Sequence, residues 1–190
     1  PQETSSINSL LLTLVEITNK NPLLSSTIYE AELFPSLIEM MKNDETRSPA
    51  LSLIGNCCCG PFHSHITALL GLGLTDILFQ LFQTELASDS FWVLSNLLLA
   101  LPNEILPIVT KADFIAGIIK TASAAPYELK KEVSFLLSLI IIFLKLDSIE
   151  PMMTSEIFDI LTDMINYNEE NVCLSGFDTI SKFVLLAVQN

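Results

Sequence analysis

The feature that most constrains the fold of this chain is a repeat of about 40 residues. Asn56 and Asn96 close two similar apolar helical stretches, LSLIGN and FWVLSN. The equivalent slot recurs along the whole chain at spacings of 40, 40, 43 and 43 residues, and it holds Glu16, Asn56, Asn96, Leu139 and Lys182. A unit this small cannot bury its own apolar face, so the period predicts an array whose units stack on one another.

A second register supports the same period. Similar apolar helices begin 41, 40 and 43 residues apart, at Glu32, Gly73, Asp113 and Glu156. Helical periodicity is strong and strand signals are weak. The sequence therefore predicts an all-α fold, a right-handed α-solenoid of about five units, each with a short linker helix, a second helix and a third helix. We expect one domain over residues 1–190, with third helices around residues 12–16, 52–56, 92–96, 135–139 and 178–182.

Short polar or proline-containing joints separate about ten predicted helices, at Lys20–Pro22, Lys42–Pro49, Gly60–Phe62, Ala125–Pro126 and Asn166–Glu170. The segment Glu85–Glu104 is predicted to form one helix. Two long apolar runs, Phe91–Val109 and Val133–Leu144, are interrupted by polar residues or are too short for a membrane span, which needs about 18 or more apolar residues. We interpret both runs as buried helices.

One helical face in the middle of the chain carries an unusual combination of side chains. Asp89, Trp92 and Asn96 lie at spacings of three and four, so they share that face. A core-facing stripe would normally carry aliphatic residues. The next unit repeats an acid three residues before a ring, in Glu132 and Phe135. The pattern predicts a groove that runs across successive third helices.

These residue types suit an extended basic peptide. An asparagine amide both donates and accepts, so it can bond to a peptide backbone. An aromatic face can hold the aliphatic stem of Lys or Arg, and a nearby carboxylate can bind the charged head. The predicted peptide-binding residues are Trp92, Asn96, Asp89, Asn56, Ser52, Glu132 and Phe135.

A structural interpretation of the same residues remains open. Trp92 and Phe135 could be core side chains, because large rings on apolar helices are usually buried. Asn56 and Asn96 could brace the stack by bonding to a neighbouring turn. Acids near helix N-termini, such as Asp89, are also favoured by the helix dipole alone.

The charge balance limits the classes of partner. The formal net charge is −13, from 22 acidic and 9 basic residues. Few cations are available to neutralise phosphates, so neither nucleic acid nor an anionic membrane surface is an expected partner. A basic peptide or protein is favoured, because attraction to an acidic surface speeds encounter.

Cysteine and histidine usage gives no catalytic or metal site. Cys57, Cys58 and Cys59 are consecutive, so on a helix they point about 100° apart and cannot converge on zinc. The pattern fits packed thiols in a reducing, intracellular setting. We expect His63 and His65 in an exposed linker, no metal, no cofactor and no enzyme activity, because no nucleophile has a convincing base.

Four motifs resemble the armadillo-repeat family, and importin-α in particular. FWVLSN, residues 91–96, resembles the family's W-x-x-S-N array. ALSLIGNCCCG, residues 50–60, is similar to A-L-R-x-x-G-N-x-x-x-G, and KKEVSF, residues 130–135, is similar to K-E-x-x-W. FDTISKF, residues 177–183, resembles L-D-A-I-S-N-I. In this register the chain corresponds to about the fifth to ninth repeats.

The resemblance implies an adaptor that binds basic nuclear localisation signals, with the peptide antiparallel to the array, for nuclear protein import. It also implies location in the cytoplasm and nucleus, and an importin-β-type receptor bound through parts outside this chain. The sequence departs from the family pattern at Ser52, where Arg is usual, and at Phe135, Leu139 and Lys182. The alternative is an armadillo-repeat interaction scaffold that does not bind nuclear signals.

The chain ends carry apolar residues where solenoid ends normally carry a polar outer face. Phe183, Val184, Leu185 and Leu186 lie close to the last residue without a polar cap. We therefore expect exposed apolar surface at the terminal units, covered by flanking repeats or by self-association.

Overall fold

The computed structural model describes residues 2–60, 62–123, 125–144, 152, 154–166 and 169–189. A 3-10 turn at Pro22–Leu24 and twelve α-helices lie in these ranges. The helices are α1 (Gln2–Lys20), α2 (Ser25–Glu30), α3 (Phe34–Met40), α4 (Asp44–Cys58), α5 (His63–Gly71), α6 (Leu74–Leu81), α7 (Ala87–Ala100), α8 (Pro102–Val109), α9 (Ala112–Ser123), α10 (Tyr127–Phe143), α11 (Ser155–Ile165) and α12 (Glu170–Gln189).

The helices stack as repeating units. The third helices α1, α4, α7, α10 and α12 pack one against the next along the chain. Each of the second helices α3, α6, α9 and α11 packs on the third helix that follows it. The short helices α2, α5 and α8 connect one unit to the next. The predicted all-α, right-handed α-solenoid is confirmed.

The repeat slots fall on corresponding helices. Glu16 lies in α1, Asn56 in α4, Asn96 in α7, Leu139 in α10 and Lys182 in α12. We call the surface formed by these five helices the third-helix face. The second helices begin within two residues of the positions that the sequence register predicts.

The prediction of a single helix over Glu85–Glu104 is wrong. α7 ends at Ala100, and Leu101 has φ −133° and ψ 65° before α8 starts at Pro102. The residue before a proline is disfavoured in the α region, so the chain turns at Leu101. This break separates the third helix of one unit from the first helix of the next.

The predicted joint Lys42–Pro49 is also largely helical. The Asn43 side chain accepts a hydrogen bond from Glu45 N at 3.0 Å and caps α4, and Asp44 and Glu45 lie in the first turn, where negative charge is favoured. Pro49 is buried inside α4. Packing against α1 and α7 keeps this helix intact despite the backbone bond that proline removes.

The core runs continuously through the stack. Phe91, Leu94, Leu97 and Leu98 of α7 are fully buried, and the Phe82 and Phe91 rings stack with centroids 4.3 Å apart. Within the described ranges no single helix is long and apolar enough to cross a bilayer, although α5 and α6, bent by 74°, reach that length and composition as a pair.

Both terminal helices expose apolar side chains. The most exposed are Leu10 and Leu12 on α1 and Val188, Leu185 and Leu174 on α12. Val184 is exposed as expected, whereas Phe183 is buried, so the expectation of exposure was wrong for Phe183. The Leu186 side chain lies outside the described part. Coverage of these faces by flanking repeats or by a second copy stays a prediction.

Candidate functional site

A pocket of about 290 Å³ lies on the third-helix face where α7, α10, α11 and α12 meet. Trp92 contributes from α7, and Lys131, Glu132 and Phe135 contribute from α10. The remaining walls come from the next unit and consist of Met164, Val172 and Ser175. We call this the aromatic pocket. It is apolar apart from one carboxylate, one ammonium group and one hydroxyl.

The two rings differ in their burial. Trp92 is half-buried, because its indole packs on α4 at Gly55 while another part of the side chain lines the pocket. Phe135 is 42% exposed, which is unusual for so large a ring. The rings therefore offer apolar surface that the chain itself does not cover.

Two carboxylates accompany the rings. Glu132 lines the pocket, and Asp89 lies one turn before Trp92 on the same face of α7. Desolvation by burial raises the pKa of each carboxyl, and the negative charges of Glu128 and Asp89 raise the pKa of Glu132 further, against an opposing effect of Lys131. Neither carboxylate makes an ion pair or hydrogen bond with a side chain in the described part of the chain.

The ammonium group at the pocket rim is already neutralised. Lys131 Nζ lies 2.8 Å and 2.9 Å from the two Glu169 carboxylate oxygens, and Tyr127 Oη donates to Glu169 Oε1 at 3.0 Å. The hydrogen bonds from Lys131 and Tyr127 lower the pKa of Glu169. The uncompensated charge near the pocket is therefore negative and comes from Asp89 and Glu132.

Asn56 faces a neighbouring helix instead of a groove. Its Nδ2 donates to the Val15 carbonyl at 3.1 Å and to Thr18 Oγ1 at 3.0 Å, both on α1, and the residue is 8% exposed. This geometry favours the bracing role for Asn56. Ser52, also on α4, donates to the Ser48 carbonyl one turn earlier at 3.1 Å. Both residues lie outside the aromatic pocket.

The other repeat slots differ from one another. Asn96 is half-buried and its Nδ2 donates to Cys59 Sγ, directly after α4, at 3.1 Å, while its Oδ1 has no partner in the described ranges. Lys182 Nζ donates to the Ile142 carbonyl near the end of α10, and burial lowers its pKa. Leu139 is buried. Asn96 lies one turn after Trp92 on α7 but does not line the aromatic pocket.

The sequence patterns did not predict that the next repeat, with α11 and α12, would form part of the aromatic pocket. Met164 ends α11, and Val172 and Ser175 begin α12. Each looks like an ordinary core or surface residue in the sequence, and only the docking of α11 and α12 on α10 brings them to the rings. The repeat register could have pointed to the first turns of α12, but not to individual side chains.

The histidine prediction was wrong for one of the two residues. His63 is exposed in the first turn of α5, but His65 is 2% exposed and lies between the Tyr29 and Phe62 rings, with centroids 4.6 Å away in each case. Its Nδ1 has no hydrogen-bond partner among the residues that the structure describes, and burial lowers its pKa.

The three consecutive cysteines point into different surroundings. Cys57 and Cys58 are buried and Cys59 is exposed, and desolvation raises the pKa of Cys57 to about 12. Within the described residues no group of three or more His, Cys, Asp and Glu side chains could hold a metal ion.

Comparison with known proteins identifies the fold. No protein-family model and no curated protein sequence matches the chain. An engineered protein solved by a structural genomics consortium superposes with a TM-score of 0.79 at 16% identity, over 95% of this chain and 74% of that one. A designed armadillo repeat protein in complex with the peptide (KR)4 gives 0.75 at 17%, over 93% and 75%.

A third structure, of computationally designed armadillo repeat proteins for modular peptide recognition, gives a TM-score of 0.77 at 17% identity, over 93% of this chain and 75% of that one. At these identities the likeness establishes the fold alone. The chain has the α-solenoid fold of armadillo-repeat proteins.

Proposed function

We propose that this chain is a protein-interaction module that binds an extended peptide across its third-helix face and holds a Lys or Arg side chain in the aromatic pocket. The observation that carries the proposal is the pocket itself. Two partly uncovered rings, Trp92 and Phe135, lie beside two half-buried carboxylates, Asp89 and Glu132, that have no cationic partner of their own in the described part.

The chemistry of the pocket matches a long cationic side chain. The aliphatic stem of Lys or Arg would pack on the rings, and a cation beside an aromatic face contributes about 0.5–2 kcal/mol. Burial disfavours the ionised forms of Asp89 and Glu132, as their raised pKa values indicate. A bound cation would offset this desolvation, because it supplies the charge-assisted hydrogen bonds that the carboxylates lack.

One structural neighbour supports this assignment. The designed armadillo repeat protein that shares the fold was solved in complex with (KR)4, a peptide of alternating Lys and Arg. The shared fold gives the third helices of both proteins a similar arrangement.

The general interaction module is favoured over a nuclear-import adaptor. A basic-signal adaptor of the importin-α type would use asparagine amides in successive slots to hold the peptide backbone. Here the Asn56 amide is bonded to α1, and slots 139 and 182 hold a leucine and a lysine in place of asparagine. Binding of nuclear localisation signals, and location in the cytoplasm and nucleus, stay predictions.

The test uses Trp92, the one tryptophan in the sequence, as its reporter. Titration with (KR)4 at low salt should change the fluorescence of Trp92 to saturation, and added salt should weaken binding, because exposed charges are screened. Glu132→Gln should weaken binding about threefold to tenfold. Asp159→Asn, which removes an exposed carboxylate on α11, is the matched control. Absence of any fluorescence change or heat of binding at low salt would refute the proposal.

A further inference from the structure

A second depression, of about 480 Å³, lies on the third-helix face between α4 and α7. Cys59, Asn96, Leu99 and Ala100 line it, and His63 stands at its edge. None of its lining residues is acidic, in contrast to the aromatic pocket. We call it the leucine depression. A cationic side chain would find no carboxylate partner there.

Leu99 belongs to a row of exposed side chains. The residue three positions after the repeat slot is the polar Asn19 in α1, Cys59 directly after α4, and the aliphatic Leu99 in α7, Ile142 in α10 and Leu185 in α12. Leu99 is 50% exposed, Ile142 46% and Leu185 62%, and Cys59 is also exposed. Single exposed aliphatic residues need no explanation, but recurrence at one register position of successive units marks a surface.

The row runs parallel to the aromatic residues across the face. Seven residues separate Trp92 from Leu99, which is about 10 Å along the α7 axis. The aromatic pocket lies on the α10 side of α7 and the leucine depression on its α4 side. Neighbouring packed helices are about 8–10 Å apart, so the two sites are offset by about that distance along the array.

The distance between the two sites along the array can be compared with the regular spacing of side chains in an extended peptide. Successive side chains of a strand point to opposite sides and advance about 3.3 Å per residue. Residues three apart therefore face opposite edges of the groove and lie about 10 Å apart along it. A side chain one residue away from the residue in one site would not reach the other site. A side chain five residues away would extend beyond it.

We infer that the peptide ligand carries an aliphatic side chain three residues away from its basic one, with the basic residue in the aromatic pocket and the aliphatic residue in the leucine depression. The inference rests on the proposed function and names the ligand more closely. The acidic pocket and the acid-free depression, on either side of α7, select these two side chains by charge. Asn96 lines the leucine depression one turn after Trp92, and its Oδ1, which has no partner among the described residues, accepts a peptide backbone N–H.

The experiment compares ten-residue Gly/Ser peptides that contain one Arg, with a Leu absent or placed one, three or five residues before or after it. Trp92 fluorescence gives each dissociation constant. One of the two peptides with a spacing of three should bind about fivefold tighter than the Arg-only peptide, as expected for partial burial of a leucine side chain. The chain direction of the better peptide gives the orientation of the ligand.

Substitution of the depression provides the second arm. Leu99→Ser should remove the gain from the added leucine and leave binding of the Arg-only peptide unchanged, since the single Arg occupies the aromatic pocket and Leu99 lies outside it. Leu23→Ser, which changes an exposed leucine outside the third helices, is the matched control. Thermal unfolding of each variant verifies that it is folded.

The outcomes separate the two claims. Three outcomes would overturn the inference while (KR)4 still binds and the proposed function stands. The added leucine could fail to increase affinity at any spacing, or increase it equally at all spacings. The increase in affinity could also persist in Leu99→Ser. If neither (KR)4 nor any Arg-containing peptide binds, the proposed function fails as well.

Discussion

The indole of Trp92 lies against the α-carbon of Gly55, with no room between the two for a methyl group. A Cβ built at Gly55 would stand 2.0 Å from Trp92 Cζ3 and 2.6 Å from Cη2. Gly55 is on α4 and Trp92 on α7, so this contact fixes how closely two successive third helices approach. It also fixes the angle at which the ring faces the aromatic pocket.

Replacing this glycine should destabilise the protein. Gly→Ala inside a helix ordinarily stabilises by about 1 kcal/mol, but overpacking of this kind typically costs about 1–3 kcal/mol. We therefore expect Gly55→Ala to lower the urea midpoint and to shift the Trp92 emission as the ring is displaced. Gly71→Ala, where nothing lies within 4 Å of the added Cβ, should be neutral or stabilising. Equal midpoints for the two variants would show that the contact is not tight.

The carboxylates of the pocket should oppose stability while they favour binding. Because burial raises the pKa values of Asp89 and Glu132 above 3.8 and 4.5, the folded state holds protons that the unfolded state has lost. Their ionisation therefore lowers the free energy of unfolding as pH rises through the folded pKa values. Asp89→Asn and Glu132→Gln should raise the urea midpoint at neutral pH and weaken (KR)4 binding. A loss of stability in both variants would contradict this.

Binding of a basic peptide should release protons in acidic solution. A cation beside Asp89 and Glu132 favours their ionised forms, so (KR)4 binding should weaken as pH falls through their raised pKa values. Calorimetric titration in two buffers of different ionisation enthalpy measures the proton release. The double variant Asp89→Asn, Glu132→Gln should release none, and undiminished release from it would assign the protons to other groups.

Alanine substitutions at the two asparagine slots should affect stability and peptide binding differently. Asn56→Ala removes two hydrogen bonds to α1 from a buried site and should cost about 1–3 kcal/mol with little change in (KR)4 affinity. Asn96→Ala loses one bond to a thiol and should change stability less, while it weakens peptide binding. Urea unfolding and Trp92 fluorescence measure the two effects. Weaker binding by Asn56→Ala together with unchanged binding by Asn96→Ala would contradict this and place the peptide over α4.

The buried histidine should make the protein less stable on mild acidification. Burial lowers the pKa of His65 below 6.5, against an opposing effect of the Glu30 charge. The unfolded state then binds more protons, so the stability present above pH 6.5 is lost as pH falls through the folded pKa. His65→Phe, flanked by Tyr29 and Phe62, should remove this loss, and His63→Gln should keep it. Melting temperatures between pH 7.5 and 5 provide the comparison.

Thiol labelling should distinguish the three consecutive cysteines. Cys57 and Cys58 are buried, and the pKa of Cys57 is raised to about 12, so both should resist iodoacetamide until the protein unfolds. Cys59 is exposed and should react, although burial of its sulfur also raises its pKa and slows the reaction. A bound leucine-containing peptide should protect Cys59 but not Cys173 of α12. Mass spectrometry of each labelled peptide measures this, and rapid labelling of Cys58 in the native protein would contradict it.

The repeat register was the part of the structure that could be predicted from sequence. The slots at Asn56, Asn96, Leu139 and Lys182 lie on successive third helices, because apolar periodicity and unit length together constrain how small helical units stack. Trp92 and Phe135 share the position four residues before the slot, and Glu132 lies three residues before Phe135, so the register places these three side chains on the same side of α7 and α10.

The orientation of individual polar side chains could not be predicted. Asn56 and Asn96 have the same register position, yet Asn56 is turned onto α1 because Thr18 and the Val15 carbonyl lie within reach. His65 is buried by Tyr29, 36 residues earlier, and by the neighbouring Phe62. Such contacts depend on how units dock, and helical periodicity carries no information about them.

The aromatic pocket is shared between units: α7 supplies one ring, α10 the other, and α11 and α12 close the far wall. Under the proposed function, peptide recognition depends on the interfaces between successive repeats. A single repeat grafted into another array would bring only its own part of the pocket walls. Transfer of binding specificity would therefore require neighbouring repeats to be moved together. Evolution or design that alters one ring must accommodate the repeats on both sides of it.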